Sequence, residues 1–312
     1  MYKIGIDLGG TNIVAGILDE DYSILCKCNT PTCPEKGAEG IVEDMLLCVS
    51  NALTLSGVEL RECSGIGLGS PGTCDSENGI VRNAHNLNWF GVPVCAMLEE
   101  KTGLKAYVSN DANCAALGEL VAGAAKGCES ALMITLGTGV GGGYVVNGEI
   151  LSGHKTLGGE FGHICIQMDG EKCSCGEKGC WEAYASATAL IRQGERAAAE
   201  HPESALASLL PLDGKKIYDA AMAGDETAKA VIAAYAKYVG VGLVGYINSL
   251  YPETILIGGG VAGMGETLFA PIREYVAKHF FVQDASMMPE IKAAALGNDA
   301  GIIGAAALIP CV

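Results

Sequence analysis

Basic residues are scarce in this chain. Its 312 residues include 20 lysines and arginines against 36 aspartates and glutamates, which gives a formal net charge of −16. A surface of this sign repels the phosphates of nucleic acids and the anionic headgroups of lipids over most of the molecule. We therefore expect neither nucleic acid nor a membrane among its partners.

Long hydrophobic runs are also lacking. No segment of the sequence approaches the ~18 consecutive apolar residues of a membrane span, and no basic stretch precedes an apolar core as in a signal peptide. The 14 cysteines mostly stand singly in apolar or helical contexts, as Cys48, Cys95 and Cys114 do. A chain of this length needs no disulfide framework, so we expect a cytoplasmic protein with reduced thiols.

A linker is missing too, although the length suits two domains. Strand patterns alternate with helix patterns, which predicts the α/β class, and paired hairpins predict mixed sheets. Strands are predicted at 2–8, 12–18, 23–28, 64–70, 105–109, 130–137, 140–147, 254–258 and 290–295. Helices are predicted at 38–55, between the strands at 64–70 and 105–109, from 111 to about 121, from about 181 to 250, at 265–279 and from 300 onward.

Two glycine and threonine turns of similar chemistry each lie between apolar strands. Residues 6–12 are Ile-Asp-Leu-Gly-Gly-Thr-Asn, and residues 135–143 are Thr-Leu-Gly-Thr-Gly-Val-Gly-Gly-Gly. Glycines let backbone N–H groups and a threonine hydroxyl approach phosphate oxygens, although either turn alone could be a tight hairpin. Asp7 is placed to hold Mg²⁺ through water, because this ion prefers oxygen ligands and keeps much of its hydration. The candidate nucleotide-binding residues of the two turns are Asp7, Gly9, Gly10, Thr11, Asn12, Gly137, Thr138 and Gly139.

A third glycine cluster covers residues 258–263, after an apolar strand and before a predicted helix. It fits the dinucleotide fingerprint G-x-G-x-x-G, and Asp284 lies about where a ribose-binding acid would fall. Too few residues remain after Asp284 to build the rest of a nicotinamide-binding sheet. We therefore favour a role for Gly259 and Gly260 at the edge of a bound nucleotide, with NAD binding as an alternative.

The strongest local pattern is a set of metal ligands. His163 ends the segment Gly-Gly-Glu-Phe-Gly-His, and Cys173, Cys175 and Cys180 follow in a segment that contains glycines at 176 and 179. Three thiolates and one imidazole form a complete tetrahedral set for Zn²⁺, and a set without an open position indicates a structural ion. Cys165 could compete as a ligand but lies outside the glycine-containing segment.

A second cysteine cluster serves as a control. Cys26, Cys28 and Cys33 have the same spacing, yet no glycine turn and no histidine accompany them. Spacing alone is therefore weak support for a metal site. We interpret Cys26 and Cys28 as residues on one face of a strand that pack like small hydrophobic side chains.

Together these motifs resemble the ROK family of sugar kinases and regulators. The similarity covers nearly the whole chain and includes Gly-Ser-Pro-Gly at 69–72, Ala-His-Asn-Leu at 84–87 and Asn-Asp-Ala-Asn at 110–113. It implies two ribonuclease-H-like lobes, as in actin and hexokinase, around a central cleft that holds ATP and a sugar. We expect an N-terminal lobe over 1–115, completed by a helix at 300–312, and a C-terminal lobe over 116–299 with the second phosphate loop, the zinc site and the adenosine site.

The resemblance implies ATP- and Mg²⁺-dependent phosphorylation of the 6-hydroxyl of a hexose, with glucose as the expected substrate. Asp111 follows a short strand and starts a helix, so from the residues alone it is either a helix cap or a catalytic base that takes the hydroxyl proton. His163 is implied to bind zinc and to contact the sugar through its other nitrogen. The candidate substrate-binding residues are Gly72, Asn86, Asn110, Asp111, Glu160, His163 and Glu182.

Several alternatives stay open. His85 departs from the glucokinase-like pattern, which leaves mannose, fructose, N-acetylglucosamine and N-acetylmannosamine as other substrates. A non-catalytic sugar sensor is the alternative from another class, although we expect no DNA-binding domain ahead of the first phosphate loop. The resemblance also implies a homodimer. We expect loss of zinc to weaken sugar affinity and to leave ATP binding largely intact.

Overall fold

The structure is a computed structural model that describes residues 1–310, and it divides into two compact units. The first unit contains 1–133, 143–159 and the chain from 294 onward, and the second contains 134–142 and 160–293. The units interleave along the chain, and the predicted lobe boundary after residue 115 stays a prediction. Residues 311–312, at the end of the predicted helix 300–312, lie outside the described residues.

The first 122 residues form eight strands and three α-helices. Their bounds are β1 Tyr2–Leu8, β2 Asn12–Leu18, β3 Ile24–Pro31, α1 Gly37–Ser56, β4 Cys63–Ser70, β5 Thr73–Asp75, β6 Ile80–Ala84, β7 Trp89–Val92, α2 Val94–Thr102, β8 Ala106–Asn110 and α3 Asp111–Ala122. The predicted α/β class is confirmed, and so is each strand predicted in this region.

The remaining described chain is richer in helix. Its elements are β9 Ser130–Leu136, β10 Val140–Val146, β11 Glu149–Ile150, α4 Glu182–Ala185, α5 Ala187–Glu200, α6 Ala205–Ser208, α7 Gly214–Met222, α8 Glu226–Leu250, β12 Thr254–Gly258, α9 Glu266–His279, β13 Glu290–Ala293 and α10 Ala300–Ala307. The two larger sheets have the strand orders β3-β2-β1-β4-β8 and β11-β10-β9-β12-β13.

The first sheet is mixed, and its parallel strands position the candidate site. β1 runs antiparallel to β2 and parallel to β4, and β4 runs parallel to β8. The register pairs Asp7 with Gly69 and Ser70 with Asn110. Because parallel strands end at the same edge of a sheet, the carboxyl ends of β1, β4 and β8 bring the 7–12, 69–72 and 110–113 motifs together.

Three short strands were not predicted. The helix expected between β4 and β8 is present as α2, but the chain first forms a three-stranded antiparallel sheet of β5, β6 and β7. These strands are three to five residues long. A strand this short carries too few alternations to be recognised from periodicity, and its pairing partners stabilise it instead.

Helix α10 packs closely against α3 within the first unit. A Cβ atom on Gly304 would lie 1.6 Å from the Cys114 carbonyl oxygen, and a Cβ on Gly118 would lie 2.3 Å from the Ala300 oxygen. The buried carboxylate of Glu119 also accepts hydrogen bonds from the N–H groups of Ala295 and Leu296, just before α10. Glycine contacts and one buried carboxylate therefore fix α10 against α3.

Helix α8 forms the centre of the second unit. By length and composition alone its 25 residues could span a membrane. Several of its apolar side chains, among them Tyr235 and Leu243, are fully buried. That burial is typical of a core helix. β12 pairs in parallel with β13. Among residues 1–310, β13 is the only strand after the third glycine cluster, so an extended parallel sheet of the kind that binds NAD does not follow it.

Candidate functional site

Two carboxylates meet at the carboxyl edge of the first sheet. Asp7 lies near the end of β1, and Asp111 is the first residue of α3. Burial, and to a smaller extent the nearby Asp111 carboxylate, together raise the pKa of Asp7 to about 6. Two acids that share a site disfavour each other's charged form, which a divalent cation would relieve.

Asn110 is the N-cap residue of helix α3. Its side-chain oxygen accepts hydrogen bonds from the N–H groups of Ala112 and Asn113 at 2.9 and 3.3 Å. Its Nδ2 donates to the Gly72 carbonyl oxygen at 2.9 Å. Asp111 follows the cap as the first residue of α3, and its Oδ1 also accepts the Ala112 N–H at 2.8 Å. The interpretation of Asp111 as the N-cap residue is therefore wrong, since Asn110 holds that position.

The first phosphate turn is closed by its own backbone. The Gly9 N–H donates to the Asn12 carbonyl oxygen at 2.8 Å, so this group is already bonded within the turn. Thr11 and Asn12 are exposed at its tip. Asn86 lies beside the turn, because a Cβ on Gly10 would be 2.8 Å from its Nδ2 atom. The first unit thus groups Gly72, Asn86, Asn110 and Asp111 near the turn of Gly9, Gly10, Thr11 and Asn12.

The second phosphate turn is anchored on the N-terminus of α5. The Gly137 carbonyl oxygen accepts a hydrogen bond from the Ala187 N–H at 2.8 Å, and the Thr138 oxygen accepts one from the Thr188 hydroxyl at 2.8 Å. Gly259, in the third glycine cluster, lies against the end of β9, since a Cβ there would be 2.3 Å from the Leu136 oxygen. The second and third clusters therefore adjoin one another.

A cavity of 670 Å³ lies between these clusters within the second unit. The lining residues include Gly137 and Thr138 from the second turn and Gly260 from the third cluster. A cavity of this size with a mainly apolar wall and a few polar groups is typical of a small-molecule site. Gly139 and Gly259 are not among its lining residues, although both belong to the clusters that border it.

Helix α7 supplies residues of this cavity that the sequence analysis missed. Asp213, Lys215, Tyr218 and Asp219 line it. The Asp213 side chain also caps α7 by accepting the Lys216 N–H at 2.7 Å. The sequence offers only a helix start here, an aspartate followed by glycine, and such starts are too common to single out a ligand site.

His163, Cys173, Cys175 and Cys180 come together as one cluster, with their ligand atoms all within 4.8 Å of one another. The Cys173 sulfur lies 3.6 Å from His163 Nδ1, and the Cys175 and Cys180 sulfurs lie 3.7 Å apart. Tetrahedral zinc with Zn–S bonds of about 2.3 Å places its sulfurs about 3.8 Å apart. The four side chains therefore fit a tetrahedral zinc ion.

The electrostatics of the cluster also suit a cation. Burial raises the pKa of the Cys180 thiol to about 12, and the thiols of Cys175 and Cys173 beside it act in the same direction. A divalent ion would reverse this effect, because it stabilises coordinated thiolates. Cys165 is exposed and stands outside the group, with its sulfur 3.9 Å from the Lys178 carbonyl oxygen.

The control cysteines pack as predicted. Cys26 and Cys28 are half-buried on one face of β3, whose side chains alternate between half-buried and exposed. Among the described residues they form no metal-ligand group with a histidine. The cysteines of residues 1–310 are all free thiols.

Glu182 connects the cysteine cluster to the second phosphate turn. Its Oε1 accepts the Ser174 hydroxyl at 2.6 Å, and its Oε2 accepts the Val140 N–H at 3.0 Å. Glu160, the other candidate sugar-binding acid of the second unit, is exposed at the start of the His163 turn. The predicted role of both acids in sugar binding stays a prediction.

The full chain is similar to known proteins of one family. A family model described as "ROK family" matches residues 3–311. The glucokinase of Thermotoga maritima is 38% identical over 311 residues, which cover 98% of this chain and 96% of the relative. The glucokinase of Halalkalibacterium halodurans is 39% identical over 99% of this chain and 94% of the relative.

A solved structure matches in three dimensions as well. The structure of a ROK family glucokinase from Streptomyces griseus in complex with glucose and AMPPNP superposes with a TM-score of 0.81, at 36% identity and over 99% of both chains. Family model, relatives and fold agree over almost the whole length. This chain belongs to the ROK family.

Proposed function

We propose that the protein is a glucokinase, which transfers the γ-phosphoryl group of ATP to the 6-hydroxyl of glucose and releases ADP. The observation that carries the proposal is the meeting of Asp7 and Asp111 at one edge of the first sheet, in a chain similar to glucokinases over its whole length. Phosphoryl transfer needs positioning, charge neutralisation and an acceptor for the hydroxyl proton.

Asp111 is proposed as the catalytic base. Its side chain lies at the beginning of α3, and Asn110 satisfies the capping requirement of that helix. The Asp111 carboxylate is therefore not needed as the cap and is proposed to accept the 6-hydroxyl proton as the oxygen attacks the phosphorus. Gly72, Asn86 and Asn110 are proposed to bind the sugar beside it.

The phosphates and Mg²⁺ are proposed to lie at the two glycine turns. Asp7 would hold the hydrated ion, whose charge would offset the repulsion between Asp7 and Asp111. Gly9, Gly10, Thr11, Asn12, Gly137, Thr138 and Gly139 are the proposed phosphate contacts. The cavity bordered by Gly259 and Gly260 is proposed to hold the nucleoside, with the edge of α7 beside it.

A structural zinc ion is proposed for His163, Cys173, Cys175 and Cys180. The support is the donor set itself and its sulfur–sulfur spacing, which match tetrahedral coordination. The ion would fix the ring of His163 and the short turns on either side of it. Glu160, His163 and Glu182 are the proposed sugar contacts of the second unit.

A coupled assay of ADP release with a panel of hexoses tests the reaction. We expect turnover with glucose and none with 6-deoxyglucose, which lacks the attacking hydroxyl. Faster turnover with mannose, fructose, N-acetylglucosamine or N-acetylmannosamine would assign another sugar to the same chemistry. Tight glucose binding without any ADP release would instead favour a non-catalytic sugar sensor and contradict the proposal.

The cellular compartment and the oligomeric state are proposed from the same similarity. A kinase that uses ATP to phosphorylate a free hexose would act in the cytoplasm, where ATP is available. Reduced cysteines suit that compartment. A homodimer is proposed as the assembly, which sedimentation at several concentrations would test.

A further inference from the structure

We propose that Glu182 is a positioning residue that ties the cysteine cluster to the second phosphate turn, so that the cluster and its metal set the affinity for nucleotide. This inference rests on the proposed function of that turn. It adds a role beyond the sugar contact expected for Glu182 and links two parts of the second unit that the sequence gives no reason to connect.

The contacts of Glu182 support this role. Oε2 accepts the Val140 N–H at 3.0 Å, and Oε1 accepts the Ser174 hydroxyl at 2.6 Å. Ser174 stands between the two cluster residues Cys173 and Cys175, and the Cys173 sulfur is itself 3.5 Å from Oε1. One carboxylate thus spans from the metal-ligand segment to the backbone of the phosphate turn.

The turn is built to receive this carboxylate. A Cβ on Gly139 would lie 2.4 Å from Oε2 of Glu182, so a side chain at this position would displace the carboxylate. On the other side, Ala187 and Thr188 already hold the Gly137 and Thr138 carbonyl oxygens. Glu182 therefore anchors the Val140 end of a turn whose other end is fixed by α5.

A negative charge near bound phosphate would normally weaken binding. If Glu182 acted only as a nearby charge, its removal should tighten nucleotide binding. If it holds the turn in shape, removal should weaken binding although a repulsive charge is lost. The two roles therefore predict changes of opposite sign in one measurement.

The experiment is a titration of each full-length variant with Mg²⁺ and AMPPNP in the absence of sugar, where a sugar contact cannot affect the result. We expect Glu182→Ala to weaken nucleotide binding by roughly tenfold, since it removes a charge-assisted hydrogen bond to the turn. Glu182→Gln should recover most of the affinity, because its amide can accept from Val140 and donate to the serine oxygen.

Two further variants separate the link from general damage. Ser174→Ala removes an exposed hydroxyl and no metal ligand, and we expect about a threefold weakening because Oε1 loses its partner. Glu177→Gln is the matched control, since this acid is exposed in the same cysteine segment and belongs to none of the proposed sugar, nucleotide or zinc contacts. It should leave nucleotide affinity unchanged. Unchanged or tighter binding by Glu182→Ala would overturn the inference.

The metal arm of the experiment uses the zinc-loaded protein before and after a chelator. We expect metal removal to weaken AMPPNP binding in the wild type, which revises the expectation that ATP binding stays intact. In Glu182→Ala the chelator should have much less effect, because the connecting carboxylate is gone and the two changes are not additive. Equal effects in both proteins would contradict the link.

Nucleotide binding by the wild type distinguishes failure of the kinase function from failure of the positioning role. A wild-type protein that binds no AMPPNP would refute the proposed kinase function. A wild-type protein that binds AMPPNP, with Glu182→Ala equal to it and equally folded by circular dichroism, would refute the positioning role alone.

Discussion

At the scale of single residues, Asp7 carries a charge that the fold disfavours. Burial and the neighbouring Asp111 raise its pKa from 3.8 to about 6. A carboxyl with a raised pKa binds more protons in the folded state than in the unfolded state between these values. Its ionisation therefore reduces stability as pH rises from about 4 to about 6, and the loss stays constant above that window.

Replacing Asp7 with asparagine should remove this penalty. We expect Asp7→Asn to be more stable than the wild type above pH 6, by up to about 3 kcal/mol, and to approach it below about pH 4. Urea unfolding of both proteins without ligand at several pH values measures the difference. A difference that does not change across this window would contradict the raised pKa.

Asp111 is expected to act on the chemical step rather than on binding. Asp111→Asn should lower kcat by at least about 100-fold, because a positioned base contributes roughly 10²- to 10⁴-fold. The affinity for AMPPNP should change little. Steady-state kinetics at saturating sugar, with a separate nucleotide titration, make this comparison.

Asn110 provides the matched control for Asp111. Asn110→Ala removes the cap of α3 and should reduce stability by about 1 kcal/mol. Near-normal kcat in Asp111→Asn would refute the assignment of the base, whatever the stability of either variant.

Some roles of single residues could be predicted from the sequence, and others could not. The clustering of His163, Cys173, Cys175 and Cys180 was predictable because four specific donors and two glycines agree in a short segment. The cap of α3 was not, since Asn110 and Asp111 are both good capping residues. Only the side-chain geometry separates the two roles.

At the scale of elements, the crossing of α10 and α3 depends on glycine. A Cβ on Gly304 would lie 1.6 Å from the Cys114 carbonyl oxygen, and backbone cannot move aside as a flexible side chain can. We expect Gly304→Ala to destabilise the protein by at least about 2 kcal/mol through overpacking. Denaturant unfolding monitored by circular dichroism measures the change.

Gly245 offers a matched control in another helix. It lies exposed in α8, and a Cβ there would meet no atom within 4 Å. Gly245→Ala should stabilise the protein by up to about 1 kcal/mol, because alanine is the better helix former. Equal effects of the two substitutions would contradict the packing argument.

There is a physical reason why some elements could not be predicted from the sequence. Long strands and helices such as β1 and α1 carry enough repeats for their periods to be read. The strands β5 to β7 are too short for that, and they exist because they pair with one another. The contribution of α7 to the cavity is a tertiary fact, since nothing in its sequence records what its N-terminus faces.

At the scale of the whole molecule, the order of the long elements was predictable, and the crossings of the chain between the compact units inside β9 and β10 were not. The chain passes from the first unit to the second inside β9 and returns inside β10. Continuous strands show no change of composition at such points. A boundary without a linker leaves no mark in the sequence.

The net charge of −16 leads to the last prediction. Like charges repel more strongly in a compact chain than in an unfolded one, and exposed ion pairs such as Lys215 with Asp219 contribute little to oppose this. Raising ionic strength from about 10 to about 100 mM shortens the Debye length from about 30 to about 10 Å. We therefore expect sodium chloride over this range to raise the unfolding temperature of the ligand-free protein by a few degrees. Choline chloride at equal ionic strength should have the same effect, because screening depends on ionic strength. An unfolding temperature that stays unchanged or falls as salt is added would show that local ion pairs outweigh the net repulsion.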